Sequence, residues 1–204
     1  MPRYYMLHKP RGCITARRDP RHKTVMDLFP EEDRDVLFPV GRLDRDTEGL
    51  LVVTDDGPLS FKLLSPSTNV AKSYFFWSQG IPDEARLREL EVGASVFTNR
   101  TELTKPARIQ LIERSTMRGI RHLLDDSDAS LANRRGDLPT ISGIITITEG
   151  KKHQVKRMIR YAGGKVVYLK RLSMGGLYLD DRLPPGSFRS LTEDEIAILR
   201  SAVE

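Results

Sequence analysis

Several features that mark large classes of protein are missing from this sequence of 204 residues. It contains a single cysteine, Cys13, so no disulfide can form within the chain. No apolar run approaches the roughly 20 residues that span a bilayer, and the N-terminal segment lacks the apolar core of a signal peptide. We therefore expect a cytoplasmic protein that contacts no membrane, with Cys13 as a small buried side chain.

Motifs for metals and organic cofactors are missing as well. The sequence has no glycine-rich phosphate loop and no dinucleotide-binding fingerprint. Its four histidines are scattered and do not form a Cys/His cluster with metal-ligand spacing. We therefore expect a protein that uses neither a metal nor a cofactor.

Acidic residues are missing from one long stretch, although the whole chain is only mildly basic, with 33 Lys and Arg against 28 Asp and Glu. Between Gly150 and Leu179 there is no acidic residue, and a polyanion is the simplest partner for such a surface. The basic residues of this stretch are Lys151, Lys152, Lys156, Arg157, Arg160, Lys165, Lys170 and Arg171. A second basic segment, residues 16–23, reads as a loop, which is either a solvated face or a clamp for phosphates through Arg17 and Arg18.

The stretch from Val40 to Gly57 combines a buried strand with a charged loop. Residues 50–53 are an apolar run that ends at an Asp-Gly turn, which is typical of a strand buried on both faces. Immediately before it, between Gly41 and Gly49, lie the charged residues Arg42, Asp44, Arg45, Asp46 and Glu48. Because an unpaired carboxylate is costly to bury, this loop is either a solvated segment with local ion pairs or a shaped loop that holds a carboxylate in place. The two glycines and the adjoining strand favour the shaped loop.

This stretch resembles the catalytic motif of the RNA pseudouridine synthases, and most of all the RsuA/RluB/RluE/RluF branch, which modifies ribosomal RNA. The matching residues are Gly41-Arg42-Leu43-Asp44, Thr47, Gly49-Leu50-Leu51, Thr54 and Asp56-Gly57. In that family the aspartate of the motif is the catalytic nucleophile. The resemblance therefore assigns this role to Asp44.

Three further segments resemble motifs of the same family. Lys9-Pro10-Arg11-Gly12 matches a Lys-Pro-x-Gly turn, read either as a rigid turn that presents cations near the site or as a plain hairpin turn. Lys72-Ser73-Tyr74 matches a Lys-x-Tyr motif, in which the tyrosine stacks on the target base, although a core tyrosine in a strand is the alternative. Glu149–Met158 matches a strand-to-helix motif that places a basic residue after Gln-Val, which assigns Lys156, with Arg157 as the alternative.

The roles implied by the resemblance predict a specific geometry. A cation from Lys156 or Arg157 is expected within salt-bridge reach of Asp44, with the Tyr74 ring facing the same cleft. Val155, Met158, Ile159 and Ala162 recur at helical spacing, so the basic side chains of this helix should point away from the core. The residues expected to contact RNA are Arg17, Arg18, Arg42, Lys72, Lys151, Lys152, Arg157, Arg160 and Arg171.

Short strands alternate with short helices without regular spacing, which predicts an α+β fold with a mostly antiparallel or mixed sheet. The resemblance implies the same fold, with short helices flanking a central sheet and the active cleft across its middle. It runs from about Tyr4 to Glu195, so we expect one catalytic domain spanning residues 1–204. Within it, the polar and aperiodic segment 115–139 is expected to be a partly mobile insertion of unknown role. Most members of the branch begin with an S4-type RNA-binding domain, which is expected to be missing here, either naturally or through trimming.

The resemblance implies that the protein converts a specific uridine of ribosomal RNA to pseudouridine, with small-subunit rRNA favoured. The reaction breaks the N1–C1′ bond and joins C5 to C1′, so it needs no redox cofactor; attack of Asp44 at C1′ and attack at C6 both remain open. The expected partner is ribosomal RNA or a ribosomal subunit assembly intermediate, and the chain is expected to act as a monomer.

Two other functions fit parts of the pattern. A metal-dependent phosphohydrolase would use the acidic residues between 44 and 56, but Asp55 and Asp56 are separated from the others by a strand that rises ~3.3 Å per residue. A non-catalytic RNA-binding protein of the same fold is the second alternative. The presence of all three catalytic residue types argues against it.

Overall fold

The computed structural model describes residues 2–97 and 102–204, which form nine strands and five α-helices. The elements in chain order are β1 (Tyr4–Lys9), β2 (Phe38–Pro39), β3 (Glu48–Thr54), α1 (Gly57–Leu64), β4 (Lys72–Gln79), α2 (Glu84–Val92), β5 (Arg108–Thr116), α3 (Asp126–Arg134), β6 (Pro139–Ile147), α4 (Gln154–Tyr161), β7 (Lys165–Met174), β8 (Leu177–Tyr178), β9 (Phe188–Ser190) and α5 (Glu193–Ser201). Short 3₁₀ turns occur at Val25–Leu28, Glu31–Asp33 and Arg121–Leu123. None of the helices in the described ranges has the length and apolar character that crossing a bilayer requires.

The chain divides into two compact units. Unit 1 comprises Met1–Lys72 and Lys170–Glu204, and unit 2 comprises Ser73–Leu169. The boundaries fall within β4 and β7, so each of these strands contributes residues to both units.

Unit 1 is built on β3. On one side β3 pairs antiparallel with β1, with Tyr4 opposite Thr54, and β1 pairs in turn with β9. On the other side β3 runs parallel to β7, where Gly49 lies opposite Arg171. The sheet is therefore mixed, and with its helices it confirms the predicted α+β class.

Successive side chains of each strand point to opposite faces of the sheet. In unit 1, the side chains on one face pack against α1 and α5. Met6 from β1 and Val52 from β3 pack in one cluster with Leu63 and Leu199 from the two helices. The other face of β3 is buried too, since none of the residues 50–53 is more than 1% exposed. This confirms the prediction of a strand buried on both faces. Just after it, the Asp56 carboxylate caps α1 by accepting from the backbone N–H of Leu59 at 2.9 Å.

Unit 2 has the strand order β5-β6-β4-β7. β5 and β6 are antiparallel, and a bulge interrupts their register between Leu111 and Arg114. On one face of β4, the Phe75 ring contacts the rings of Trp77 and Tyr168 edge-on, with centroids 6.3 and 6.2 Å apart. These rings form the centre of a hydrophobic cluster in this unit.

The segment 115–139 contains regular structure, which its aperiodic sequence did not indicate, and its role as an insertion stays a prediction. It contains the end of β5, a 3₁₀ turn and α3, whose N-terminus is capped by the Asp125 carboxylate. Met117, Ile120 and Ala132 are buried in the cluster around Trp77. The rest of the segment is mostly polar, so these apolar residues did not stand out as a helix or strand pattern in the sequence.

Candidate active site

The loop that carries Asp44 joins β2 to β3. Hydrogen bonds to the backbone fix the residues before and after Asp44. The N–H of Thr47 donates to the carbonyl of Asp44 at 3.1 Å, which closes a tight turn. The buried Leu43 exchanges two hydrogen bonds with the Thr15 hydroxyl, 3.0 Å from its N–H and 2.8 Å from its carbonyl. The Asp44 side chain is half-buried, so it reaches solvent from a turn whose neighbours are fixed.

Lys9 supports this loop from inside the protein. Its side chain is fully buried, and Nζ donates to the carbonyls of Thr47 at 2.9 Å and Pro10 at 3.0 Å. Burial lowers the pKa of Lys9, while the nearby negative charges of Asp46 and Asp44 oppose that shift. Lys9 therefore holds the backbone of the turn and places a positive charge near the predicted nucleophile.

The rest of the Lys-Pro-x-Gly turn also packs against this loop. The N–H of Gly12 donates to the carbonyl of Arg45 at 2.8 Å, and Arg45 Nε returns a bond to the carbonyl of Gly12 at 3.2 Å. Arg11 Nε donates to the carbonyl of Asp46 at 3.1 Å. The motif match indicated a turn near the site, but it did not show that Lys9 faces inward.

Gly49 lies where β3 comes closest to β7. Its φ is +106°, and a Cβ at this position would lie 2.2 Å from the carbonyl oxygen of Arg171. Only glycine fits such an approach, because any other side chain would collide with the backbone and would strain φ. Gly49, the second residue of β3, therefore lets the backbone of β3 come close to that of Arg171.

Two of the predicted RNA contacts lie inside unit 1. Arg171 is 2% exposed, and its Nε donates to the carbonyl of Leu50 at 2.7 Å. Lys72 is 7% exposed, and its Nζ donates to the carbonyl of Val70 at 2.9 Å. Neither side chain lies at the surface of its unit, so their predicted contact with RNA has no support from exposure and stays a prediction. Periodicity could not separate them from exposed cations, since most Lys and Arg residues lie at the surface.

Tyr74 lies in β4 on the face opposite to Phe75 and Trp77, whose rings form the cluster of unit 2. Its side chain is 8% exposed. The neighbouring Ser73 hydroxyl lies 2.8 Å from the hydroxyl of Thr146 on β6, which fixes the strand beside it. The stacking role of Tyr74 stays a prediction.

A braced turn precedes the helix that carries Lys156. The buried Glu149 carboxylate accepts from Gln154 Nε2 at 2.6 Å and from the N–H of Lys105 at 2.9 Å. Gln154 Oε1 in turn accepts from the N–H of Lys151 at 3.0 Å, and His153 adopts a left-handed conformation with φ at 55°. These contacts reverse the chain within a few residues, so that α4 starts at Gln154.

The orientation of α4 agrees with its sequence pattern. Val155, Met158 and Ile159 are buried, whereas Lys156 and Arg157 are half-buried and Arg160 is exposed. Asp44 belongs to unit 1, while Tyr74 and Lys156 belong to unit 2. The predicted ion pair between Asp44 and Lys156 or Arg157 therefore stays a prediction.

The remaining basic candidates lie at the surface of their own units. Arg17 and Arg18 both bind Asp35, the first through its carbonyl and the second through its carboxylate. Arg42 and Lys152 are exposed. Lys151 is partly neutralised, because its Nζ lies 2.8 Å from a Glu102 carboxylate oxygen and 3.4 Å from one of Glu149.

The acidic residues near Asp44 have other partners. Arg3 Nε donates to the Asp55 carboxylate at 3.2 Å, and the Tyr4 hydroxyl donates to that of Asp56 at 2.6 Å. Across residues 2–97 and 102–204, no three His, Cys, Asp or Glu side chains are grouped so that they could hold a metal ion. The phosphohydrolase alternative therefore has no geometric support in this part of the chain.

Comparison with known proteins identifies the class. Residues 3–161 match the model of a family described as RNA pseudouridylate synthase. An uncharacterized RNA pseudouridine synthase of Bacillus subtilis, YtzG, is 41% identical over 197 residues, which are 96% of this chain and 72% of that protein. The chain belongs to the RNA pseudouridylate synthase family, which confirms the resemblance seen in the sequence.

Further relatives add detail. The ribosomal small subunit pseudouridine synthase A of Pseudomonas aeruginosa is 38% identical over 194 residues, covering 95% of this chain and 73% of that protein. A crystal structure of a pseudouridylate synthase superposes with a TM-score of 0.79 at 31% identity, covering 98% of this chain and 74% of that chain. The fold of the described residues is thus that of a pseudouridine synthase.

Proposed function

We propose that this chain converts one uridine of small-subunit ribosomal RNA to pseudouridine, with Asp44 as the nucleophile. The observation that carries the substrate assignment is the 38% identity, along 95% of the chain, with a protein named ribosomal small subunit pseudouridine synthase A. The relative of that name in Escherichia coli is 36% identical over 96% of the chain. Family membership supports the reaction itself.

Asp44, Lys156 and Tyr74 have different roles in the proposed reaction. The Asp44 carboxylate attacks the nucleoside at C1′ or C6, so that the N1–C1′ bond breaks and the uracil can turn. C5 then bonds to C1′, the proton on C5 leaves and N1 gains a proton, so the net change is an isomerisation. Lys156 supplies positive charge beside the carboxylate, and the Tyr74 ring stacks on the flipped base while its hydroxyl is the candidate proton carrier.

The backbone around Asp44 supports this assignment. A nucleophile acts best when its position is fixed before the substrate arrives, because less order has to be gained in the reaction. The 44–47 turn, the Leu43–Thr15 bonds and the buried Lys9 supply such a fixed frame. Lys9 is accordingly a positioning residue in this scheme.

We also propose that the RNA is held by exposed and half-buried cations of the catalytic region, working in the cytoplasm as a monomer on ribosomal RNA or an assembly intermediate. Cations at the surface release counterions when they neutralise phosphates, which supplies sequence-independent affinity. These residues are Arg17, Arg18, Arg42, Lys151, Lys152, Arg157 and Arg160.

Tritium release from ribosomal RNA that carries 5-tritiated uridine tests the proposal, because the hydrogen on C5 is lost in the reaction. Asp44→Asn keeps the size of the side chain and removes the nucleophile, so we expect a loss of about a thousandfold or more. Asp46→Asn, at an exposed acid of the same loop, is the matched control and should stay within a few-fold of the wild type. Turnover near the wild-type rate in Asp44→Asn would overturn the assignment.

The same assay with EDTA separates the proposed chemistry from metal-dependent catalysis. We expect the chelator to leave tritium release unchanged, because none of the proposed steps uses a metal. Loss of activity with EDTA, and recovery after a divalent metal is added back, would contradict the scheme.

A further inference from the structure

We propose that a groove on unit 2, between the outer face of α4 and the segment 95–97, binds an unpaired nucleotide of the RNA next to the target uridine. The groove consists of two adjoining cavities that share Val96, Arg157 and Arg160. This inference rests on the proposed function and adds to it a subsite with named residues.

The groove has the size that a nucleotide needs. The larger cavity, of about 550 Å³, is lined by Ser95, Val96, Phe97, Arg157, Arg160 and Tyr161. The smaller one, of about 380 Å³, is lined by Val96, His153, Lys156, Arg157 and Arg160. Both volumes fall in the range of roughly 300–1,000 Å³ that is usual for sites of small organic ligands.

The charge of the groove fits an anion. Among the described residues, its lining includes three cationic side chains, Lys156, Arg157 and Arg160, and no carboxylate. Two carboxylates lie beside lining or neighbouring residues: Glu102 pairs with Lys151 at 2.8 Å, and Glu89 accepts from the hydroxyl of Tyr161. A ligand in the groove therefore meets a positive surface, and the planar guanidinium groups can hold a phosphate through two donors at once.

The aromatic side chains of the groove fit a base. The Arg157 guanidinium lies 5.4 Å from the centre of the Phe97 ring, and Lys151 Nζ lies 4.9 Å from it. Tyr161 is held in place, because Arg86 lies 5.7 Å from its ring centre and donates to its carbonyl at 2.9 Å. Aromatic rings and guanidinium planes are the surfaces on which proteins stack unpaired RNA bases.

Lys156 connects the groove to the reaction. It is the proposed catalytic cation, and it also lines the smaller cavity. A synthase must take its target uridine out of the base stack, which leaves the adjoining nucleotides without a stacking partner. We infer that one of these neighbours enters the groove, with its base against the aromatic wall and its phosphate on Arg157 and Arg160.

Steady-state kinetics on ribosomal RNA at several salt concentrations test the groove. Phe97→Leu should raise KM about tenfold through lost stacking and leave the salt dependence unchanged, whereas Phe97→Tyr should keep the wild-type KM. Arg160→Gln should raise KM and lower the log-log slope of binding against salt by ~0.7, the value for one phosphate contact on a single strand. Arg88→Gln, at an exposed arginine of α2 outside the groove, is the control and should change neither quantity.

The outcomes separate the groove from the proposed function. If the wild type is active and Phe97→Leu and Arg160→Gln both keep its KM and salt slope, the groove is not a subsite, although the function stands. Equal losses in Phe97→Leu and Phe97→Tyr would indicate a purely structural role and would also overturn the inference. If the wild type itself releases no tritium from ribosomal RNA, the proposed function fails first.

Discussion

The loop of Asp44 and the helix of Lys156 hold their charged groups in different ways. Around Asp44 the partners are internal: backbone bonds close the turn, and a fully buried Lys9 binds the carbonyl of Thr47 at 2.9 Å. On α4 the cations lie on the outer face of a helix, with an aromatic ring 5.4 Å from Arg157 and open space beyond. The Asp44 loop is held by buried contacts, whereas the cations of α4 lie beside a groove at the surface of unit 2.

This difference fits the two roles that we propose, a nucleophile in the loop and an RNA-binding surface on α4. A nucleophile must sit in one place, so its supports are buried, and they contribute to the stability of the fold as well as to the reaction. A surface that binds phosphates has to accommodate a flexible strand, and cations at a surface add little to folding. Substitutions in the loop should therefore change stability and activity together, whereas substitutions on α4 should change activity or RNA binding alone.

The largest effect is expected from Gly49→Ala. A Cβ there would lie 2.2 Å from the backbone of Arg171 at a φ of +106°, so strain and overpacking together should cost about 4 kcal/mol of unfolding free energy. Gly57→Ala is the matched control, since a Cβ at this helix start meets nothing within 4 Å. Urea unfolding of both variants measures this; an equally stable Gly49→Ala would show that the approach of β3 to β7 is not tight.

Lys156→Gln should separate activity from stability. In the proposed mechanism Lys156 supplies positive charge beside the carboxylate, so its loss should reduce kcat about a hundredfold, an effect of ~2.7 kcal/mol on the barrier. The half-buried position on the outer face of α4 should keep the unfolding free energy within about 0.5 kcal/mol of the wild type. A variant with wild-type kcat would transfer the role to Arg157, and the same measurement on Arg157→Gln would then decide.

Lys9→Met should lower both the unfolding free energy and kcat. It leaves the carbonyls of Thr47 and Pro10 without their donor but also removes a desolvated charge, so we expect a net loss of about 2 kcal/mol in stability. The Asp44 turn should loosen at the same time, and kcat should fall. Lys152→Met, at an exposed lysine, is the control and should unfold like the wild type. Unchanged kcat in Lys9→Met would contradict the positioning role.

A smaller effect is expected from pH. Burial lowers the pKa of His8, whose Nδ1 donates to the carbonyl of Leu183 at 2.7 Å. The unfolded chain binds a proton near pH 6.5, while the folded one resists it, so stability is complete above that pH and declines as the pH falls below it. Between pH 6.5 and 5.5 the decline should reach up to about 1 kcal/mol. His8→Gln should show a flatter profile in urea titrations, and an unchanged slope would assign the acid sensitivity to other groups.

Local sequence patterns correctly predicted features that depend on residues close together in the chain, such as the buried faces of strands and helices. The apolar run 50–53 and the spacing of Val155, Met158 and Ile159 led to the buried strand and to the correct face of α4. The catalytic candidates Asp44, Tyr74 and Lys156 came from motif matches, and the family match supports those motifs without testing each role.

Whether a cation is buried depends on contacts between residues that are distant in the sequence. Local sequence patterns therefore did not predict which cations are buried. Arg171 is bonded to Leu50, which is 121 positions away in the chain, and Lys9 is bonded to Thr47, which is 38 positions away. Nothing in the local spacing distinguishes such residues from solvated ones. The fold of segment 115–139 was missed for the same reason, because its buried apolar residues pack in one cluster with Trp77, which is distant in the sequence.

The most direct test of the central claim is a pseudouridine map of all stable RNAs from a strain whose own copy of this gene encodes Asp44→Asn. The account predicts that one pseudouridine disappears from small-subunit ribosomal RNA while all other sites remain, and that the wild-type gene restores it. Loss of a site in large-subunit ribosomal RNA or in transfer RNA instead would contradict the substrate assignment. A map identical to that of the wild type would contradict the role of Asp44.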